Sequence, residues 1–225
     1  MAQTRRLLIF GDSIAKGVTY QDGRYHLCAG HNFDALREKG LDVQNFAKMG
    51  ACTDLGLEIV KKRLSACEEE TTAAFSFGGN DCDFDWQAIS ENPEGTFLPK
   101  TPEPQFVENY RRLIALAQKT GARGAMLSLV PLESHRFMQH VSAGRSFDNI
   151  LRWLGDIDRI SRWQEYYNDM VCQLARSLGC QLIDLRAEFL KSPSFLSLIS
   201  DDGIHPTQQG HDLVHSCVSR ALAAT

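Results

Sequence analysis

Four short stretches carry residue types that could do chemistry together. Gly11-Asp12-Ser13 follows the apolar run Leu7-Leu8-Ile9-Phe10, which puts a serine where a strand gives way to a helix. Backbone N–H groups at such a helix start favour developing negative charge, as an acyl-transfer serine requires. A serine there is equally a plain helix cap. Near the other end, Asp202-Gly203-Ile204-His205-Pro206 sets a carboxylate and an imidazole three residues apart on a glycine-containing turn. Such a turn can bring the carboxylate onto Nδ1–H and leave Nε2 free to take a proton from a hydroxyl. It can equally hold a loop histidine bonded to its own surroundings.

Two more stretches supply donors. Asn45 through Gly50 to Thr53 and Gly78-Gly79-Asn80-Asp81 each follow a β-rich run. Glycine lets backbone approach a ligand closely, and an asparagine amide after two glycines can point its NH₂ into the space they leave. Each stretch alone has the composition of an ordinary turn. Placed after successive strands, both bring donors to the same sheet edge as Ser13.

Other groupings point elsewhere. His211 and His215 are spaced i, i+4 and, with His205, could be read as a zinc set, but no third-ligand spacing or H-E-x-x-H pattern accompanies them. Packed or half-solvated histidines are expected instead, and no metal or cofactor is called for. Cys52 and Cys82 flank the donor stretches, yet cysteines in such places usually act as small hydrophobes. Asp12, Asp81 and Asp201 read as loop-stabilising acceptors, and Glu68-Glu69-Glu70 as a solvated helix end.

Taken jointly, the four stretches resemble the blocks of the SGNH hydrolases, also called GDSL esterases and lipases, which supply Ser, Gly, Asn and His in that order. The resemblance runs over essentially the whole chain; Ile14 stands where the older family name has leucine. It implies Ser13 as nucleophile, His205 as base and then acid, and Asp202 as its orienting carboxylate. It implies an oxyanion hole from the backbone N–H groups of Ser13 and Gly50 and the Asn80 side chain. A flavodoxin-like three-layer α/β/α sandwich with about five parallel strands follows by the same resemblance. The activity implied is hydrolysis of a small-molecule carboxylic ester, with a short acyl group on a sugar or small metabolite. A lysophospholipase, a thioesterase, an acyltransferase and a non-catalytic acyl-ligand binding module remain alternatives.

The elements that would position these residues are visible in the pattern. Apolar β-rich runs at Leu7–Phe10, Val43–Phe46, Ala73–Phe77, Ala125–Val130 and Gln181–Leu185 alternate with helical spacing, which argues for βαβ units and a parallel sheet. Helices are read from Leu55, Ile59 and Leu64, and from Val107, Tyr110, Leu113, Ile114 and Ala117. Gly40, Gly121 and Gly179 serve as stop signals, and a last helix is expected from Gln208 to Ala223 behind a Thr207 cap. A single domain over 1–225 is expected, carrying insertions at about 82–104 and 131–158 that are too long for ordinary connections. The first reads as an ordered but irregular loop. Together they are expected to wall a substrate pocket with Trp86, Phe97, Phe137, Phe147 and Trp153.

Composition narrows the class. At 225 residues, 43% hydrophobic and 23% charged, the chain can bury a sizeable core. A formal net charge of -4 with interspersed signs gives no basic field for nucleic acid. The four-residue apolar run after Arg5-Arg6 is shorter than a secretory core, and every apolar stretch is broken before the ~20 residues of a membrane span. No helix of strong amphipathic character stands out as a membrane-surface element. Seven scattered cysteines with no C-x-x-C pair fit reduced thiols, and the cytoplasm is the expected location. Nothing in the pattern speaks to oligomeric state.

Overall fold

The computed structural model describes residues 5–31, 33–67 and 70–223. Glu68 and Glu69 of the acidic run lie outside them. A five-stranded parallel sheet is built from β1 (Arg6–Gly11), β4 (Asp42–Asn45), β5 (Thr71–Ser76), β6 (Arg123–Leu127) and β7 (Gln181–Ile183) in the order β4-β1-β5-β6-β7. All five strands expected from the sequence are present. The alternation along β1 explains the layers: Leu8 and Phe10 enter one apolar core, Leu7 and Ile9 the other. A strand buried on both faces reads as a continuous apolar run, as β1 does.

One face is covered by α3 (Thr53–Arg63), α5 (Glu103–Lys119) and α8 (Arg159–Ser177). On α5 the buried stripe is Phe106, Asn109, Tyr110, Leu113, Ile114 and Ala117, close to the expected spacing. On α3 the buried residues are instead Thr53, Gly56, Leu57, Ile59 and Val60, and Leu55 faces outward at 42% exposure. The opposite face is covered by α1 (Ser13–Lys16), α2 (Asp34–Arg37), α9 (Leu185–Lys191), α10 (Phe195–Leu198) and α11 (Gln208–Ala223). The α11 bounds coincide with those expected, and the Thr207 hydroxyl accepts the Gly210 N–H at 3.2 Å as its cap.

Three features depart from the sequence reading. An antiparallel hairpin, β2 (Val18–Gln21) with β3 (Arg24–Leu27), turns on Asp22-Gly23, both at positive φ. An Asp-Gly pair between short runs is a hairpin signal that could have found it. The second long segment is also largely helical, with α6 (Ser134–Ser142) and α7 (Phe147–Leu154), while the first keeps the irregular course expected of it around one short helix, α4 (Trp86–Glu91). Side-chain caps start all three, with Asp85 accepting from Ala88, Glu133 from His135 and Arg136, and Ser146 from Asn149. Finally, α7 is strongly amphipathic, contrary to expectation, but its apolar side turns inward through Ile150 and Leu154.

Candidate active site

The chain runs to one side of β1 to form β4 and to the other to form β5, so the carboxyl end of β1 is a switch point in the sheet. Open α/β sheets leave a crevice there. Asp12 and Ser13 leave β1 into it, Gly78 to Asp81 leave β5, and the loop holding Gly50 leaves β4.

Asp12 caps the short α1 by accepting the Ile14 N–H at 2.9 Å. Ser13 is therefore the first helical residue, and its N–H has no partner within the helix. Its side chain faces the crevice, where Oγ lies 2.8 Å from His205 Nε2. On the far side of the ring, Nδ1 lies 2.6 Å from Asp202 Oδ2. A carboxylate only accepts, so Nδ1 carries the proton and Nε2 presents its lone pair to the Ser13 hydroxyl.

The Asp202 to His205 turn is held from within. Asp202 Oδ1 accepts the backbone N–H groups of Ile204 and His205, each at 3.1 Å, which leaves Oδ2 for the ring. Burial pushes the Asp202 carboxyl up, but hydrogen bonding and charge from His205, with those two N–H groups, outweigh it and hold it below its ordinary value. Gly203 stands at φ +76 with its would-be Cβ 2.4 Å from the Phe137 nitrogen, so no side chain fits there. The Ser200 N–H donates to the His205 carbonyl at 2.8 Å, and a bridge between Ile199 and Pro206 closes the loop.

Asp81 joins the two donor stretches. Its Oδ1 accepts from the Thr53 N–H at 2.9 Å and the Thr53 hydroxyl at 2.6 Å, and Asn109 donates to the same hydroxyl at 3.0 Å. Asn80 thereby stands at the crevice, its Nδ2 at a long 3.4 Å from the Ala51 carbonyl. Gly50 is exposed in the left-handed region at φ +72, with open space where a Cβ would be. It does not line the central cavity. Asp12 is 3% exposed, and burial pushes its carboxyl up to about 6 against the opposing effects of the Ile14 N–H and His205.

Asp12, Ser13, Asn80 and His205 line one cavity of about 100 Å³. Its other wall is apolar and comes from the two long segments, whose helices α4, α6 and α7 pack on one another around Phe84, Trp86, Ile89, Phe137, Met138 and Ile150. Trp86, Phe137 and Trp153 line the cavity, as expected. Two expected residues do not. Phe97 packs edge-on against the outer side of the Trp153 ring, at 5.9 Å between centroids, and Phe147 is 40% exposed at the start of α7. Phe97 lies on the irregular chain between α4 and α5 and Phe147 is exposed at the start of α7, so neither ring is carried to the cavity.

Of the residues not singled out from the sequence, Phe84 and Trp163 add to the wall and Tyr25 contacts His205. Phe84, within the first segment, meets Trp153 at 4.9 Å and 70°. Trp163 on α8 lines the cavity and donates its indole N–H to the Cys82 carbonyl at 2.8 Å. Tyr25, from the hairpin, stands edge-on to His205 at 5.3 Å and 68°. Phe84 was legible from its aromatic neighbours, whereas the contacts of Trp163 and Tyr25 come from distant chain.

Comparison with known proteins adds a family and a fold. The model of the GDSL-like lipase/acylhydrolase family matches residues 9–213. The chain is 26% identical over 222 residues to an Arabidopsis thaliana protein named GDSL esterase/lipase CPRD49, covering 96% of this chain and 78% of that one. Among solved structures, the lipase/acylhydrolase from Enterococcus faecalis superposes with a TM-score of 0.63 at 17% identity, covering 96% of this chain and 94% of that one. Axe2, an acetylxylan esterase from Geobacillus stearothermophilus, superposes with a TM-score of 0.65 at 18% identity, covering 97% and 93%. At these identities the two structures speak to the fold.

Proposed function

The chain belongs to the GDSL-like lipase/acylhydrolase family, and from that premise we propose that it hydrolyses carboxylic esters through an acyl-enzyme on Ser13. The observation that carries this reading is the unbroken hydrogen-bonded line from Asp202 Oδ2 through the His205 ring to Ser13 Oγ, at 2.6 and 2.8 Å. His205 Nε2 takes the hydroxyl proton as Oγ attacks the ester carbonyl, and Asp202 stabilises the imidazolium that results. The N–H groups of Ser13 and Gly50 and the Asn80 amide are the donors assigned to the oxyanion. Collapse of the tetrahedral intermediate expels the alcohol, which receives its proton from His205. Water then attacks the acyl group by the same route in reverse roles.

For the substrate we propose a short acyl group on a sugar or small metabolite. Its acyl methyl would point at Trp86, Phe137 and Trp153, where apolar rings replace water. An acetylxylan esterase among the fold neighbours is consistent with such a group. The apolar wall extends to Leu154 and Ile160, which favours a medium-chain acyl group as the second reading. No helix among the described residues is long and apolar enough to cross a membrane. The cytoplasm is the proposed setting because all seven cysteines are free thiols.

Ser13→Ala is expected to lower p-nitrophenyl acetate hydrolysis by about 10⁴-fold or more with the fold intact. Wild-type turnover in that variant would refute the acyl-enzyme. A p-nitrophenyl ester series separates the two substrate readings, with an optimum at two to four carbons for the first and near eight for the second. Assay with an added acceptor alcohol distinguishes hydrolysis from acyl transfer.

A further inference from the structure

We propose that Cys28, His211 and His215 form a zinc site, apart from the catalytic centre, that ties the β2–β3 hairpin to α11. Among the described residues these three present ligand atoms within 4.8 Å of one another. Tetrahedral zinc with bonds of about 2.0–2.3 Å sets its ligands roughly 3.5 Å apart, so modest side-chain movement closes the site.

The orientation of His211 is the strongest sign of a missing ligand. Its Nε2 lies 2.8 Å from the Val18 carbonyl, which can only accept, so the ring proton sits on Nε2. Nδ1 then carries a lone pair, and it is buried with no hydrogen-bond partner on a residue 0% exposed. Buried polar atoms are normally satisfied. A histidine whose one nitrogen donates to a carbonyl while the other offers its lone pair to the metal is the usual arrangement around zinc. His215 follows one turn later on α11, its ring held against Phe33 at 4.5 Å.

Cys28 brings the third ligand from the opposite end of the chain. It is 3% exposed, its N–H donates to the Gly17 carbonyl at 2.8 Å, and its sulfur lies 3.1 Å from where a Cβ on Gly17 would stand. The neighbouring Ala29 N–H donates to Gln208 Oε1 at 2.7 Å, so the hairpin exit is already docked on α11. Two imidazoles and one thiolate suit zinc among the common divalent ions. On binding, the thiol proton passes to solvent, both imidazoles bind neutral, and water fills the fourth position. The reading of His211 and His215 with His205 failed for want of a third ligand, because His205 faces Asp202 and Ser13. Cys28, nearly the whole chain away in sequence, replaces it.

The site bears on the catalytic centre through the hairpin, since Tyr25 on β3 touches His205 and zinc would steady that contact, and through α11, which begins three residues after His205. The test uses the full-length protein stripped with a chelator and titrated with Zn²⁺, and with Co²⁺ as a spectroscopic stand-in. One equivalent is expected to bind, with a thiolate-to-cobalt charge-transfer band, and Zn²⁺ is expected to raise Tm. Cys28→Ala and the half-buried His215→Ala should each abolish the band and weaken Zn²⁺ binding by more than about 100-fold. Cys172→Ala, at a cysteine elsewhere, should retain both. A protein with no charge-transfer band, or a band and affinity that persist in either of the first two variants, would overturn the site.

Discussion

Two walls of one cavity are built by opposite means. On the polar side, Asp202 binds the ring and backbone of a residue three positions on, and Asp12 caps a helix two positions on. On the apolar side, Phe84, Trp86, Phe137 and Trp153 are held by ring contacts among helices drawn from two separated segments, as in the Trp86–Phe137 pair at 5.6 Å and 77°. Directional hydrogen bonds between near neighbours fix reacting atoms within tenths of an ångström. Aromatic contacts, each contributing about 0.5–1.5 kcal/mol, tolerate wide changes in ring position. The local geometry of each polar turn is thus set by near neighbours, whereas both the bond from Ser13 to His205 and the shape of the cavity are set by packing between distant segments. The walls meet at Gly203, where the catalytic turn touches the start of α6 and the Glu133 N–H donates to the Gly203 carbonyl at 2.8 Å.

After loss of the Ser13 hydroxyl, the largest expected effect also falls on the polar wall. Asn80→Ala should lower kcat by about 10²–10³-fold with little change in KM, because the amide acts on charge that exists only in the transition state. Steady-state kinetics on p-nitrophenyl acetate decide it; a pure KM effect would move Asn80 from the chemistry to substrate binding.

Gly203→Ala would break the separation between walls. A Cβ there would meet the Phe137 nitrogen at 2.4 Å and the Glu133 carbonyl oxygen at 2.6 Å, both backbone atoms, on a residue at φ +76. A stability loss of about 2–4 kcal/mol is expected by denaturant unfolding, together with loss of activity. Activity lost at unchanged stability would mean that the turn and α6 are not mechanically joined.

A buried carboxyl is a cost the apolar wall does not bear. Asp12 has its folded pKa raised from 3.8 to about 6, so between those values the folded protein holds more protons than the unfolded chain and loses stability as pH rises. Asp12→Asn keeps the Oδ1 acceptor for Ile14 and removes the charge. It should match wild type at pH 4 and exceed it by about 1–3 kcal/mol at pH 7. Equal stability of the two proteins at both pH values would contradict the burial of that charge.

The smallest effect belongs to the apolar wall. Trp153→Ala should shift the ratio of kcat/KM between short and longer p-nitrophenyl esters by about tenfold, while acetate hydrolysis survives. A proportional loss on every ester would instead make the ring part of the positioning of the catalytic groups.

How much of this was legible follows the same divide. Strand β1 announced itself because burial on both faces leaves an uninterrupted apolar run, the edge strands β4 and β7 only by their place in the β-α alternation, and α11 because Thr207 caps it. Trp86, Phe137 and Trp153 were found as aromatics in segments too long to be mere connections. Phe97 and Phe147 carry the same local signal yet do not line the cavity, because neither aromatic content nor segment length says which way a ring faces. Asp22-Gly23 between two short β-rich runs is a local hairpin signal, and the structure forms the hairpin there. No pattern reveals that the residue following that hairpin packs beside α11, since Cys28 and His211 are neighbours only in space.

The sequence by itself determined the five strands of the parallel sheet, the last helix and the four stretches that carry Ser13, Gly50, Asn80 and the Asp202–His205 pair, because each rests on periodicity or on spacing of a few residues. Only the tertiary structure decided that these stretches converge at the carboxyl end of β1, which rings enclose the cavity, and which distant side chains stand behind it. Hydrogen-bonded turns and apolar stripes are written in local order, whereas the facing of one helix on another depends on packing between segments whose separation along the chain carries no signal.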